Sequence, residues 1–215
     1  MKKKVIILGA SGACLDILSI IDDINIFSEK KIKFEGFLED NEKKIPKRIE
    51  KYFLGGFQSK YTKYKDVYFI TAFGNEKNFK KRSNIIKKLD IKKNKFKNII
   101  HPTCLINKTA KIGIGNVLHA YVTIARDVLL KDQIVILPKS TISHDTIIES
   151  YNIINTNSII SGDVKINESC YIGAGSNIRD HVTIAKQTLI GMGSVVTKNI
   201  NRSGTYFGNP AKLYK

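Results

Sequence analysis

Aliphatic residues recur at every sixth position through the second half of the 215-residue chain. The series runs without a break from Ile106 to Val196. A period of six matches neither the 3.6 residues of an α-helical turn nor the two-residue alternation of a β-strand. It is the period of a hexapeptide β-helix, in which three hexads complete one triangular coil. The pattern therefore predicts a left-handed parallel β-helix of about five coils.

Two further positions of the hexad support this register. The residue two before each aliphatic is mostly small, polar or valine, as a tight inward corner requires, and Cys104 and Cys170 fall there. We interpret these two cysteines as packing residues. The residue after the aliphatic is often Gly, Ala, Asn or Ser, and Gly113 and Ala125 are examples. We expect this position to turn the corner at low steric cost.

The first hundred residues follow a different pattern. An apolar run at residues 4–8 leads into the turn GASG at residues 9–12, and residues 14–24 are amphipathic. Strand, glycine turn and helix in this order begin a nucleotide-binding α/β unit, in which free N–H groups at the helix N-terminus can bind an anion. The turn is not the full GxGxxG fingerprint, so a tight turn without a ligand stays an alternative.

Two more predicted strands end at polar residues. Residues 33–38 lead to Glu39 and Asp40, and residues 66–72 lead to Gly74 and Asn75. Because the carboxyl ends of successive parallel strands line one crevice, these residues should converge with the glycine turn. Glu39 and Asp40 could accept hydrogen bonds from a ribose or a base, or could belong to a solvated turn.

The domain boundary is predicted near residue 100. Residues 80–89 have the pattern of a helix and residues 96–100 that of a last strand. His101 and Pro102 follow, and proline cannot continue a strand ladder. We therefore predict a Rossmann-like domain over residues 1–100 and a β-helix domain over residues 101–215.

Charge and composition narrow the function only slightly. The net charge is +17, and +12 of it lies in the first 100 residues, where lysines are dispersed rather than clustered. This favours a solvated basic surface or a field that attracts phosphorylated metabolites, and it gives no reason to expect nucleic-acid binding. We expect no signal peptide, because the apolar run at residues 5–8 is too short for one, and no apolar stretch of the sequence is long enough to span a membrane. The three cysteines show neither metal spacing nor a disulfide pattern, so we expect a reducing cytoplasm.

Among the four histidines, His144 is the candidate for catalysis. Asp145 follows it directly, and a carboxylate beside an imidazole can hold the tautomer that a general base requires. Gly162 lies one 18-residue coil further, so it should stack beside His144 at about 4.8 Å, where its amide could face a reacting carbonyl. A lone exposed His–Asp pair is by itself an ordinary surface feature. Only His119 and His144 lie in the middle of the predicted β-helix, and no third histidine completes a set with the spacing of metal ligands, so no metal is expected.

The whole chain resembles the sugar O/N-acyltransferase family of hexapeptide-repeat enzymes. This family includes the sialic acid O-acetyltransferases and the UDP-4-amino-sugar N-acetyltransferases of the bacillosamine pathway. The motifs that carry the resemblance are GASG (9–12), FLED (37–40), AFGN (72–75), SHD (143–145), ISG (160–162), IGAG (172–175), IGMGSVVTK (190–198) and GNPAK (208–212).

The resemblance implies a homotrimer with acetyl-CoA in the groove between neighbouring β-helices and the acceptor's nucleotide on the N-terminal domain. It implies that His144 is the base, that Asp145 raises its basicity, and that the amide of Gly162 faces the thioester carbonyl. The implied CoA contacts are Ile153, Gly162, Ala174 and Met192. The implied acceptor contacts are Ser11, Gly12, Ala13, Glu39, Asp40, Gly74 and Lys77.

Three positions depart from the family pattern. Ile153 stands where bacillosamine-type enzymes carry a second histidine that contacts CoA, and Ala13 stands where histidine is frequent. The pair Glu39 and Asp40 replaces Asp-Asp. The last two differences indicate an acceptor of different structure, and none of the three touches the base.

Three functions follow as hypotheses. The first is an acetyl-CoA-dependent N-acetyltransferase that acts on the amine of a nucleotide-linked amino sugar in cell-surface glycan biosynthesis. The second is an O-acetyltransferase of the sialic acid type, which would use the same base. The third is a non-catalytic trimeric scaffold in which His144 is incidental. The nucleotide (UDP, GDP or dTDP), the sugar and the length of the acyl donor stay open.

Overall fold

The structure, a computed structural model, describes residues 3–29, 31–59, 64 and 66–214. Its first part is a three-stranded parallel sheet of order β2-β1-β3 with helices on both sides. The elements are β1 (Lys3–Leu8), α1 (Gly12–Phe27), β2 (Ile32–Leu38), β3 (Tyr68–Thr71) and α2 (Phe79–Lys88), with short 3₁₀ helices at Glu42–Lys44, Lys47–Tyr52, Phe57–Ser59 and Lys93–Lys95. No helix of the described residues is long and apolar enough to cross a membrane.

The central strand β1 explains why its sequence is apolar without alternation. Val5 and Ile7 pack in one cluster with residues of α1, whereas Ile6 and Leu8 pack in another with Ile86 of α2. A parallel strand covered on both faces requires apolar residues at every position. The predicted strands and helices of this part are therefore present, with bounds that differ by a few residues.

Residues from Ile99 onward form a parallel β-helix with three faces of two-residue strands. Face A contains Ile99–Ile100, Val117–Leu118, Val135–Ile136, Ile153–Ile154, Tyr171–Ile172 and Leu189–Ile190, and is extended by Thr205–Phe207 and Lys212–Leu213. Face B contains Leu105–Ile106, Thr123–Ile124, Thr141–Ile142, Ile159–Ile160, Asn177–Ile178 and Val195–Val196. Face C contains Lys111–Ile112, Leu129–Leu130, Ile147–Ile148, Lys165–Ile166 and Thr183–Ile184.

The coils stack with a spacing of 18 residues. Thr141 pairs with Ile159, and Ile142 pairs with Ile160, and the same register recurs on every face. The second residue of each strand points inward, so the six-residue series forms one continuous apolar column. The hexad phase predicted from the sequence is therefore confirmed.

The β-helix has about six coils, so the expectation of about five was wrong. Ile99–Ile100 pairs with Val117–Leu118 and begins a coil that was assigned to the N-terminal domain. Pro102 suggested a boundary because it lacks an N–H. It lies in the corner after the strand, however, and the ladder bonds come from the N–H groups of His101 before it and Leu105 after it.

The turning residue of each corner is also one that the sequence did not indicate. The left-handed conformation occurs three residues after the inward aliphatic, as at Asp127 (φ 57°), Asp145 (φ 60°) and Asp163 (φ 54°). The position directly after the aliphatic, such as Ala125, continues the ladder and donates to Ile142 of the next coil. Aspartate tolerates left-handed backbone better than most residues, which explains its frequency at these corners.

The first part of the chain packs on face A. Ile99 and Val117 belong to the same apolar cluster as helix α1. The rings of Phe79 and Tyr171 lie 5.9 Å apart. Asp23 of α1 lies 2.9 Å from Nε2 of His101, at the first coil. The two parts therefore share a continuous interface.

His119 lies in this interface, and its burial should make the folded protein less stable at acidic pH. Burial lowers the pKa of His119 from 6.5 to about 4, against a smaller opposing effect of Asp16. Above pH 6.5 the side chain is neutral in both folded and unfolded chains. As the pH falls from 6.5 to 4, the unfolded chain takes up a proton that the folded chain excludes, so the free energy of unfolding should fall by roughly 3 kcal/mol.

Denaturant unfolding at a series of pH values measures this effect. His119→Gln should flatten the loss between pH 6.5 and 4, whereas His181→Gln, which changes an exposed histidine, should retain it. An unchanged pH slope in His119→Gln would contradict the assignment.

Candidate active site

His144 and Asp145 occupy the corner that joins faces B and C. Thr141–Ile142 precedes them on face B and Ile147–Ile148 follows on face C. The left-handed backbone of Asp145 turns its carboxylate back, so that Oδ2 lies 2.8 Å from Nδ1 of His144. The imidazole is 52% exposed. The ring is therefore oriented by the carboxylate through Nδ1, and Nε2 has no hydrogen-bond partner among the described residues.

Gly162 lies one coil beyond His144 and contacts its ring. The amide of Asp163 donates to the carbonyl of His144 at 2.9 Å, which stacks the two corners. A Cβ at position 162 would lie 2.5 Å from Cε1 and 2.7 Å from Nε2 of His144. No group in the described part of the chain accepts a hydrogen bond from the Gly162 N–H. An unengaged amide and a basic ring nitrogen thus lie side by side.

Arg126 completes this site, and the sequence analysis missed it. Its Nη2 lies 3.3 Å from Oδ2 of Asp145, and its Nη1 lies 2.9 Å from Oδ2 of Asp127. Asp145 is therefore shared between the imidazole and a guanidinium. The signal was available, because Arg126 precedes His144 by one 18-residue coil.

A second histidine lies on the same edge. Nδ1 of His181 is 2.8 Å from Oδ2 of Asp163, and Nε2 is 3.3 Å from Oδ2 of Asp180. The hydrogen bond with Asp163 raises the pKa of His181. Both ring nitrogens face carboxylates, so His181 has no free basic nitrogen comparable to Nε2 of His144.

The glycine turn and the end of β2 meet as predicted. The Ala10 N–H donates to Oε2 of Glu39 at 3.1 Å, and the Ser11 hydroxyl donates to the carbonyl of Ala72 at 3.1 Å. A Cβ on Gly12 would meet nothing within 4 Å, and Ala13 is exposed beside it. The ends of β1, β2 and β3 therefore meet at one edge of the sheet, where the sequence predicts the crevice.

Asp40 contributes to the wall of this crevice rather than to its opening. Its Oδ1 accepts a hydrogen bond from the Phe57 N–H at 2.6 Å. The same oxygen would lie 2.8 Å from a Cβ on Gly56. One carboxylate oxygen of Asp40 is thus committed to the loop, whereas Glu39 holds the glycine turn through Ala10.

Gly74 and Lys77 follow β3 on the side toward the β-helix. Gly74 has φ 131°, and its missing side chain leaves room for the side chains of Arg82 and Ile153. The Lys77 N–H donates to Oδ1 of Asn75, and its side chain is exposed at the start of α2. Gly74 therefore brings the crevice into contact with face A.

The predicted CoA contacts lie on separate parts of the prism. Ala174 and Met192 stack at the corner between faces A and B, where the Gly193 N–H donates to the Ala174 carbonyl at 2.8 Å. Gly162 lies at the corner between faces B and C, and Ile153 lies buried on face A. Within one chain these residues do not meet, because face B separates the two corners.

The crevice and the histidine are also apart within one chain. The N-terminal part packs on face A, whereas His144 projects from the opposite edge of the triangle. Among the described residues of a single copy, the crevice and His144 therefore lie on opposite sides of the triangle.

The cysteines and metal chemistry offer no competing site among the described residues. Cys14 and Cys170 are buried, and burial raises the pKa of each thiol to about 12, so both stay protonated at neutral pH. No group of three or more His, Cys, Asp or Glu side chains in the described ranges could hold a metal ion.

The contact between Gly162 and His144 gives a direct prediction. Gly162→Ala should displace the imidazole, because 2.5 Å is shorter than real Cβ contacts. A misplacement of this size should lower kcat by about 10²-fold with little change in melting temperature, since the displaced imidazole of His144 is half-exposed. Steady-state kinetics and thermal unfolding measure both. Asp180→Ala, at the same position of the next coil, is the control and should keep near-wild-type kcat; equal kcat values for the two variants would refute the role of the contact.

Comparisons with known proteins decide the family. Residues 95–205, just over half of the chain, match the family model described as the GMPPB C-terminal domain. The chain belongs to this family. The matched region of the GMPPB C-terminal domain family starts just before the first coil at Ile99 and covers the β-helix up to Thr205. A comparison with curated proteins gave no match.

Solved structures extend the likeness to the N-terminal part. The acetyltransferase domain of PglB from Neisseria gonorrhoeae, in complex with acetyl coenzyme A, is 22% identical with a TM-score of 0.80 over 100% of both chains. PerB from Caulobacter crescentus, in complex with CoA and GDP-perosamine, is 19% identical with a TM-score of 0.80 over 99% of this chain and 97% of that one. WeeI from Acinetobacter baumannii is 19% identical with a TM-score of 0.63 over 99% and 100%. At these identities the likeness establishes the fold alone.

Proposed function

We propose that the chain is an acetyl-CoA-dependent N-acetyltransferase that acts on the amino group of a nucleotide-linked amino sugar. The observation that carries the proposal is the contact between Gly162 and His144, because it combines a basic nitrogen with an unengaged N–H donor. Acyl transfer from a thioester needs both: one takes the proton of the amine, and the other stabilises the oxyanion.

The reaction proceeds by direct transfer. Nδ1–H of His144 donates to Asp145, so Nε2 carries the lone pair and takes a proton as the acceptor nitrogen attacks the thioester carbonyl. The Gly162 N–H donates to the carbonyl oxygen while it is negative. When the tetrahedral intermediate collapses, the C–S bond breaks, and the proton held on His144 can pass to the departing thiolate. No acyl-enzyme is required, consistent with the protonated, buried thiols of Cys14 and Cys170.

The acceptor would bind on the N-terminal part, which we propose to be a Rossmann-like nucleotide-binding domain beside a left-handed β-helix. Glu39 and the glycine turn lie at the ends of adjacent parallel strands, where nucleotides bind in sheets of this kind. Ser11, Gly12, Ala13, Asp40, Gly74 and Lys77 would complete the contacts. PerB, solved with GDP-perosamine, shares the fold over both parts, which supports this choice over a nucleotide-free sugar.

The separation of the site residues within one chain supports a homotrimer. If neighbours packed around face B, the Gly162 corner of one copy would meet the corner with Ala174 and Met192 of the next, and acetyl-CoA would lie between them. Met192 is 81% exposed in a single copy. The same packing would bring the crevice on face A of one copy toward His144 of the next.

The composition of face B agrees with this packing. Its outward residues carry no charge, and Leu105 and Ile159 are 69% and 46% exposed. Face C carries outward lysines instead. The outward residues of face B are Leu105, Thr123, Thr141, Ile159, Asn177 and Val195. Light scattering should give a mass of three chains, and a fully active monomer would refute the shared site.

The test of the function is an acetyl-transfer screen. Acetyl-CoA is supplied with UDP-, GDP- and dTDP-linked 4-amino sugars and with free sialic acid, and thiol release is followed together with the mass of the product. We expect a gain of one acetyl group on the amine of a nucleotide-linked sugar, in the biosynthesis of a cell-surface glycan. Transfer to sialic acid alone would identify the O-acetyltransferase alternative, and an absence of thiol release with every acceptor would favour a scaffold.

A further inference from the structure

Arg82 of helix α2 is buried where the crevice meets face A. It is only 1% exposed, and none of the described acidic side chains forms an ion pair with it. Burial lowers the pKa of Arg82 to about 10, with a smaller opposing effect of Tyr151, so the guanidinium is charged at neutral pH. A buried charge without a carboxylate is costly unless its N–H groups are fully engaged.

The N–H groups of Arg82 are engaged by three separate segments. Nε donates to the carbonyl of Phe73 at 3.0 Å, directly before Gly74. Nη1 donates to the carbonyl of Gln133 in a β-helix corner, and Nη2 donates to the hydroxyl of Thr71 at 3.0 Å. The Thr71 hydroxyl donates in turn to Oε1 of Gln133 at 3.0 Å. The guanidinium thus connects the end of β3, the turn that follows it and the β-helix.

Gly74 is held closely by this arrangement. A Cβ at position 74 would lie 2.8 Å from Cδ of Arg82 and 2.8 Å from Cδ1 of Ile153. The turn is therefore pressed between the arginine side chain and the face of the β-helix. Gly74 is a proposed acceptor contact, whereas Ile153 is buried on face A beneath it. The arginine therefore lies where the acceptor region rests on the β-helix, away from the corner with Ala174 and Met192.

We propose that Arg82 is a positioning residue that fixes the Gly74 turn on the β-helix and thereby sets where the acceptor is held. This inference rests on the proposed function. A planar fork with several donors can hold two carbonyls and a hydroxyl at once, which a lysine ammonium cannot reproduce in the same directions. An apolar pair could fill the same space, but it would not fix the direction of the Phe73 carbonyl.

The test separates acceptor binding from donor binding. Arg82→Lys and Thr71→Val should each raise KM for the nucleotide-linked acceptor, with Arg82→Lys approaching about 10²-fold, the effect of a misplacement near 1 Å. KM for acetyl-CoA should stay close to the wild-type value. Lys88→Met, which removes an exposed charge from the same helix, is the matched control and should change neither constant.

Further results distinguish a positioning role of Arg82 from a purely structural one. Arg82→Met should raise the KM for the acceptor more than Arg82→Lys does, because lysine retains one charged donor. If Arg82→Met does not fold, Thr71→Val is the variant that is compared with the wild type. A lower melting temperature with unchanged acceptor KM in Thr71→Val and Arg82→Lys would overturn the positioning role. Wild-type protein that acetylates no nucleotide-linked sugar would instead refute the proposed function, so the two failures are distinguishable.

Discussion

His144→Ala should lower kcat by about 10²–10⁴-fold, the range for removal of a general base. The reason is that Nε2 is the exposed basic nitrogen beside the Gly162 amide, and no other described group offers this combination. Binding of acetyl-CoA should change little, because the proposed contacts at Ala174 and Met192 lie on a different corner. Steady-state kinetics and calorimetric titration with acetyl-CoA measure the two effects separately.

His181→Ala is the matched control for that experiment. It removes a second histidine from the same edge, also paired with an aspartate, and should leave turnover nearly unchanged. His119→Ala should be similarly silent in turnover. Wild-type kcat in His144→Ala would show that the acceptor amine is already deprotonated in the site, and the base assignment would fail.

Ile160→Asp should abolish the folded β-helix. Ile160 is fully buried in the apolar column between Ile142 and Ile178, and a carboxylate there would have no partner. The cost is several kcal/mol, comparable to the whole stability of an ordinary domain. Circular dichroism and thermal unfolding of the purified protein measure the loss.

Ile159→Asp is the informative comparison, because Ile159 is the neighbouring residue on the outward side of the same strand. It should keep the folded coil but weaken assembly, since the charge would fall on the proposed contact face. An Ile160→Asp variant with the wild-type melting temperature would contradict the inward phase of the hexads.

The part of the site on the β-helix was predictable, because residues that are 18 positions apart in the sequence stack on each other in adjacent coils. His144, Asp145 and Gly162 were placed correctly relative to one another by an 18-residue step. Arg126 obeys the same step and was overlooked. Ala174 lies 12 residues beyond Gly162, which is two hexads and not a full coil, so its separate corner was also readable from the sequence.

The remaining features depend on contacts that have no period. In the sequence, Arg82 is one of several basic residues of a helix. Its role depends on the hydrogen bond with Gln133, which lies 51 residues away along the chain. The left-handed corner residues were misassigned because small side chains were taken as the sign of a turn. In this chain the turning position accepts glycine and residues as different as aspartate, glutamine, lysine and tyrosine, so residue size does not mark it.

The stacking of coils has a consequence for how such a protein can change in length. The strands of each 18-residue coil pair with those of the coil below and the coil above, as in other solenoids. The contact between His144 and Gly162 involves two adjacent coils, and face B continues for two coils beyond it, a height of about 10 Å. Insertion or removal of a whole coil near the C-terminal end would change the length of β-helix surface that an extended acyl donor can contact. The geometry of His144 and Gly162 would stay the same. Donor length and reaction chemistry can therefore evolve separately on this scaffold.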